Sequence, residues 1–369
     1  MGSHFRARRG LRALAVTGVV SLALIGTSAG TAQAASPTNM LRAQQGAQWL
    51  ANQITHDGGV LQNFGKADPV DTAYAVIGMR ATGVDRAASD EAIAALKTKI
   101  GSDLETGGHA SPGALAEYVM AAVADGQDPR HFGGVGPSNN LVDRLLATAR
   151  TGGSDKGLFG ASDPTFDGAF RQGLALEALK AAGVSSSDPR VSAAITWLTN
   201  QQCANGLWEA YRSHVGTACP AADPKTFTGP DTNSTSSAVQ GLAAWGKFPR
   251  ASSLLSSLKN SQSSDGGFPF VAAKNQASDP DSTALVIQTL LAESSSPTSA
   301  MWKKGTHTPY TALASFQLGC TSSDFGAFTY PGSPAANLFA TVQSVPAMAA
   351  KTLPVASSRA SVTLGLKSC

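Results

Sequence analysis

An eight-residue stretch that returns six times constrains this chain more than any other feature. Asp281 to Gln288 (Asp-Ser-Thr-Ala-Leu-Val-Ile-Gln) matches Asn233 to Gln240 and Asp71 to Gly78. Weaker copies run from Ser111 to Tyr118, Thr165 to Gln172 and Ala336 to Gln343, and successive copies start 40, 54, 68, 48 and 55 residues apart. One unit of that size cannot bury its own apolar face, so the repeats must stack or close on one another. Each copy reads as a helix start, with short polar side chains placed to accept from the first free backbone N–H groups of an apolar run. Asp71, Asn233 and Asp281 share one frame position, which predicts that all three cap their helices.

Helical periodicity between the copies supplies a partner for each. Met40–Gln53 precedes Asp71–Thr82, Glu91–Ile100 precedes Pro112–Ala124, and Asn140–Ala149 precedes Gly168–Ala182. Ser192–Gln202, Ser252–Ser261 and Thr308–Gln317 precede Ser234–Trp245, Ser282–Glu293 and Pro334–Ala349, with Pro346 as a kink in the last. The loops within pairs repeat too. Gln202 to Trp208 has the form Gln-x-x-x-Gly-x-Trp, Gln262 to Phe268 has Gln-x-x-x-Gly-x-Phe, and Gly157-Leu158-Phe159 and Gly326-Ala327-Phe328 are reduced versions. Glycine there supplies a positive-φ turn and the aromatic packs back on the helix pair, so the motif reads as a structural clamp. Six pairs could form an open solenoid, which needs atypical end repeats. The first and last pairs resemble the middle ones, so a closed ring is expected: an all-α, α6/α6 toroid. Closure brings the inner-helix starts to one mouth, where helix N-termini add positive partial charge.

The formal charge of +3 comes from the N-terminus, because residues 1–34 carry Arg6, Arg8, Arg9 and Arg12 and no acid. The remainder holds 24 basic against 25 acidic residues, which argues against a nucleic-acid partner. The basic run to Arg12, the apolar run Ala13–Ile25 and Ala32-Gln33-Ala34 read as a secretory signal over 1–34. The apolar run is shorter than the roughly 20 residues a membrane span needs, so no stable insertion is expected after signal removal. A linker over 35–39 and a toroid domain over 40–369 follow, in a secreted, extracellular protein. All four cysteines lie in the exported part. Four cysteines allow three pairings, and Cys203–Cys219 with Cys320–Cys369 is expected: the first closes a short loop and the second ties down the last residue. No Cys-x-x-Cys spacing supports a metal site, and none is expected.

The Gln-x-x-x-Gly-x-Trp loop and Asp279-Pro280-Asp281-Ser282-Thr283-Ala284 resemble the α/α-toroid superfamily of prenyltransferase and squalene cyclase repeats. That group holds the terpene cyclases, the protein prenyltransferase β subunits and the cobalamin carriers of the transcobalamin and intrinsic factor type. Ser111 to Tyr118, Ser282 to Gln288 and Asn337 to Pro346 look like the second, fifth and sixth inner helices of the carriers. This resemblance implies capture of a sizeable amphipathic, cobalamin-like small molecule with no bond made. No cofactor is then required, and cobalamin enters only as the bound ligand. The ligand would meet Asp71, Tyr74, Thr165, Asp167, Gln172, Asn233, Gln240, Asp281, Gln288 and Asn337. The recurring glutamines serve equally well as bonds between helices. The alternative follows the Asp-x-Asp pattern of class II terpene cyclases: Asp281 donates a proton to an isoprenoid, and burial must hold it neutral until used. The prenyltransferase reading needs a zinc held by Asp, Cys and His, and none of the six histidines pairs with a cysteine at a matching place. A cell-wall or transporter partner is left open.

Overall fold

The computed structural model describes residues 33–101, 104–106, 108–160, 168–249, 251–356 and 362. Thr165, Asp167, Cys369 and nearly all of the expected signal segment lie outside the described residues. The chain divides between Ala32 and Gln33, and every described element belongs to the second unit.

Twelve α-helices alternate among the described residues. The outer ones are α1 (Pro37–His56), α3 (Arg86–Lys97), α5 (Leu141–Ala147), α7 (Pro189–Asn200), α9 (Ala251–Ser261) and α11 (Pro309–Ser315). The inner ones are α2 (Pro69–Thr82), α4 (Pro112–Ala124), α6 (Ala169–Ala181), α8 (Thr232–Ala244), α10 (Pro280–Ala292) and α12 (Leu338–Met348). Two pairs of two-residue strands sit in loops, Gln62–Asn63 with Lys66–Ala67 and Glu105–Thr106 with His109–Ala110. Sequence periodicity separates the layers. In α1 the buried positions Ala43, Gly46, Ala47, Leu50, Ala51 and Ile54 form one stripe, as an outer helix requires. In α2 every residue from Asp71 to Thr82 is buried, as a helix surrounded by protein requires.

Each inner helix packs on the next, and α12 packs on both α1 and α2, so the ring closes. The Gly-x-aromatic loop joins every such junction that it serves. Gly206, Gly266 and Gly326 have φ of 85°, 89° and 94°. A Cβ on each would lie 2.5 Å from Leu254 N of α9, 2.9 Å from Thr308 O before α11, and 2.5 Å from Gln45 O of α1. The last repeat therefore docks on the first helix by the device that docks the fourth on the fifth. The glutamine of the motif holds the same turn: Gln202 and Gln262 donate to Gly206 O and Gly266 O at 3.0 and 2.9 Å, and Gln317 donates to Gly326 O at 2.9 Å and to Arg42 O at 2.8 Å.

Several boundaries move. Helix α1 starts at Pro37, not Met40, because Ser36 accepts from Asn39 N and Pro37 occupies the first turn. Helices α3 and α7 start earlier than expected, behind the caps Asp85 and Asp188. Cys203 and Cys219 are joined, so their sulfurs are not free metal ligands. Cys320 is also disulfide-bonded. No described helix is long and apolar enough to cross a membrane.

Candidate functional site

The inner-helix caps overturn one expectation. The caps are Asp68, Asp231 and Asp279, whose carboxylates accept from Asp71 N, Ser234 N and Ser282 N at 3.0, 2.6 and 2.8 Å. Asp71, Asn233 and Asp281 sit two or three residues further on, inside the first turn. The eight-residue frame misplaced the caps and set Asp71, three residues after its cap, level with Asn233 and Asp281, two residues after theirs; in Asp279-Pro280-Asp281 there are two carboxylates and only the first precedes the helix. Capping therefore leaves Asp281 unexplained.

Four residues after the cap stands Thr72, Thr235, Thr283 or Thr341. Their hydroxyls accept the backbone N–H of Leu61, Trp208, Phe268 and Phe328 at 2.9–3.0 Å. Gln172 holds this place in α6: it accepts from Phe159 N at 2.8 Å and donates to Gly157 O at 2.9 Å and to Ala194 O. Gln172 is thus committed between an inner and an outer helix. Asn337 is committed too, as the cap of α12, accepting from Ala340 N at 2.8 Å.

With 3.6 residues per turn, positions two, six and nine after the cap lie on the opposite face, toward the ring's centre. Nearest the helix starts these are Asn233 and Asp281. One turn deeper come Tyr74, Glu117 and Gln343, and deeper still Glu177, Gln240 and Gln288. The last two reach a strap that follows α12: Gln240 accepts from Leu353 N at 3.3 Å and Gln288 donates to Lys351 O at 2.9 Å. Leu353 and Val355 are buried in the core, so the strap closes the far end of the ring.

The remaining polar atoms on this face are buried without a partner: Tyr74 Oη, Asp281 Oδ1, Gln343 Oε1, both Glu177 carboxylate oxygens and Gln288 Oε1. Burial raises Asp281 to about 8, helped by the charges of Asp279 and Asp71. Burial, then Asp68, raises Asp71 to about 7. Burial holds Glu117 and Glu177 well above the ordinary carboxyl range, with Asp71 adding to the effect at Glu117 and Arg171 opposing it. Burial likewise raises Tyr74, which also feels Glu117, Glu177, Asp281 and Asp71. One hydroxyl on α2 thus senses acids from α4, α6 and α10, and the four helices face a shared centre. Burial favours the protonated form of each of these carboxyls, which is how a low-dielectric interior accommodates them.

Glu117 and Glu177 were not expected. Their signal was present: each is a lone acid in an otherwise apolar inner-helix run, Gly-Ala-Leu-Ala-Glu-Tyr-Val and Gly-Leu-Ala-Leu-Glu-Ala-Leu. Around the helix starts lie exposed aromatics, Phe270, Tyr330 and Phe339, with Phe227 6.4 Å from the Phe270 ring. Tyr330 feels the charges of Asp279 and Asp281, which places it beside them. His109, His131, His214 and His307 are all exposed. Asp265 closes a turn, accepting from Gly267 N at 2.9 Å and from Ser278 Oγ.

No protein-family model matches the chain, and no curated protein matches it. Solved structures do. A type II terpene cyclase, MstE from Scytonema, in complex with geranylgeranyl dihydroxybenzoate, aligns with a TM-score of 0.52 at 14% identity, over 85% of this chain and 98% of that one. An unsaturated glucuronyl hydrolase specific for heparin aligns with a TM-score of 0.58 at 11% identity, over 85% and 96%. Haptocorrin in complex with Cbi aligns with a TM-score of 0.50 at 14% identity, over 90% and 73%. A terpene cyclase, a glucuronyl hydrolase and a protein in complex with Cbi share this architecture, so the likeness speaks for fold and leaves function to the site. With its closed inner ring and repeated clamp, the chain is an α/α toroid of six helix hairpins.

Proposed function

We propose that this is an exported toroid that captures a sizeable amphipathic small molecule of corrinoid type where the inner helices begin, and releases it unchanged. The observation that carries the reading is the set of unpartnered polar atoms on one face: Tyr74, Asp281, Gln343, Glu177 and Gln288, from five residues on four helices. An unpaired buried polar atom costs about 1–3 kcal/mol, and a ligand that pairs several recovers much of that cost. The exposed rings of Tyr330, Phe339 and Phe270 offer apolar surface to a large flat molecule. The resemblance of Ser282–Gln288 and Asn337–Pro346 to the cobalamin carriers supports the same ligand class. Signal removal over 1–34, a linker of at most a few residues and a toroid domain to 369 complete the reading, and the Cys203–Cys219 bond suits an oxidising compartment.

The test is co-elution. Mature protein incubated with cobalamin is expected to emerge from gel filtration with visible absorbance, and Asp281→Asn with Tyr74→Phe is expected to lose at least tenfold in affinity. A colourless protein peak at high micromolar concentration would remove the corrinoid ligand.

A second reading has its own support. Asp281 does not cap, one of its oxygens has no partner, and its pKa of about 8 keeps a proton available at neutral pH. That is the state a general acid needs. Asp281 would protonate an alkene of an isoprenoid, with Asp279 beside it. The inward face is rich in amides and carboxyls and poor in π faces, which suits a carbocation less well than a polar guest. Turnover of a polyprenoid by the native protein and none by Asp281→Asn would establish the enzyme. Equal turnover by both would exclude acid catalysis at this residue.

A further inference from the structure

Below the helix starts, the unpartnered atoms share one chemistry. Glu177 presents two carboxyl oxygens, both acceptors once it ionises, and Gln343 Oε1 and Gln288 Oε1 are acceptors. The Gln288 amide donates to Lys351 O, and its oxygen is left without a partner. Glu177 is fully buried, as is Gln288, and Tyr74 and Gln343 are nearly so. The Tyr74 hydroxyl on α2 feels Glu117 of α4, Glu177 of α6, and Asp71 and Asp281 nearer the helix starts, where Asp68 and Asp279 cap α2 and α10. Arg171 on α6 acts on Glu117. Helices α8 and α12 contribute the amides of Gln240 and Gln343, and the strap presents the carbonyl of Lys351.

Such a set suits N–H donors carrying positive charge. Carboxyls cannot all ionise together in a low-dielectric space, but one can ionise against a cation held beside it. An ammonium offers three donors and no acceptor, the complement of Glu177, Gln288, Gln343 and the Tyr74 oxygen. The acids do not converge tightly enough to ligate a single metal ion: among the described residues, the one group with that spacing is Cys203, Glu209 and Cys219, whose sulfurs are bonded.

We propose that the centre of the ring is a subsite for an alkylammonium group, with Glu177 as its counter-ion and Gln288, Gln343 and Tyr74 as further acceptors. It deepens the capture reading and rests on it for access through the helix starts. The exchange balances: a protonated amine enters, Glu177 or a neighbouring carboxyl ionises, and one proton leaves to solvent.

Hexylamine, hexanol and hexanoate, equal in length and differing in head group, are the probes. Calorimetry on the mature protein at pH 7 is expected to give binding for hexylamine at least tenfold tighter than for either other compound, with proton release to buffer. Glu177→Gln is expected to abolish that preference and Glu177→Asp to keep it in part, with thermal melts confirming that both fold. Equal binding of the three probes, or an unchanged preference in Glu177→Gln, would overturn the subsite. Cobalamin co-elution on the same samples separates the two proposals. Colour without amine preference removes only the subsite, and amine preference without colour removes only the corrinoid.

Discussion

The two faces of the inner helices carry polar residues in similar number and put them to opposite use. On the face toward the outer layer, Thr235, Thr283, Thr341 and Gln172 recur at one register position, and each accepts a backbone N–H from the preceding loop. On the face toward the centre, Tyr74, Glu177 and Asp281 do not recur, and their polar atoms find no protein partner. A polar residue that repeats in every unit answers a need of every unit, which is to hold a loop. A buried polar residue that appears once answers a need that the fold does not have. The candidate site is therefore sought among the residues that break the repeat.

The largest expected effect probes the repeating side. Gly326→Val would bring a side chain within 2.5 Å of the Gln45 carbonyl at a φ of 94°. A loss of more than ~3 kcal/mol in denaturant unfolding is expected. Gly65→Ala, also at positive φ but in open space, should cost no more than ~1 kcal/mol. Equal losses would show that the ring does not depend on the clamp at its closing seam.

Next comes the centre, probed by pH. The Asp281 carboxyl is raised in the folded chain from 3.8 to about 8. The native state then binds more protons than the unfolded one between those values, so stability is full below pH 3.8 and falls as pH rises toward 8. Asp281→Asn removes this loss. It should be more stable than the native protein at pH 8, by on the order of a few kcal/mol, with the difference shrinking toward pH 4. Melts across that window decide it, and a variant less stable at pH 8 would mean that Asp281 serves the fold.

The smallest effect separates adjacent residues. Thr283→Val leaves Phe268 N–H buried and unpaired, for a loss of about 1–3 kcal/mol with ligand affinity unchanged. The neighbouring hydroxyl of Ser282 has no partner, so Ser282→Ala should stay within ~0.5 kcal/mol of native stability. If Ser282→Ala proves the more damaging, the division between the two faces fails.

All twelve helices were legible in the sequence, because a buried stripe in α1 and an apolar run in α10 are local patterns. Ring closure followed from the likeness of the first and last pairs, but the Gly-x-aromatic clamp was expected within its own pair, whereas Gly326 docks on α1 of the next pair. The caps were misread by two or three residues. In Asp279-Pro280-Asp281 either acid could start the helix on composition alone, and the proline at the first helical position was the signal that favoured Asp279. The glutamines are one residue type, yet they stand at different distances from their caps and their partners differ. Gln172 binds a loop, and Gln240 and Gln288 bind a strap more than sixty residues away.

Sequence alone determined the repeat, its helical period and the turn glycines, and with them a ring of six hairpins, because those features express local backbone preference and the burial of apolar faces. Only the tertiary structure decided which polar side chains are satisfied. Burial and pairing are set by residues distant in the chain, and they alone distinguish the Thr283 clamp from the protonated Asp281 two residues before it.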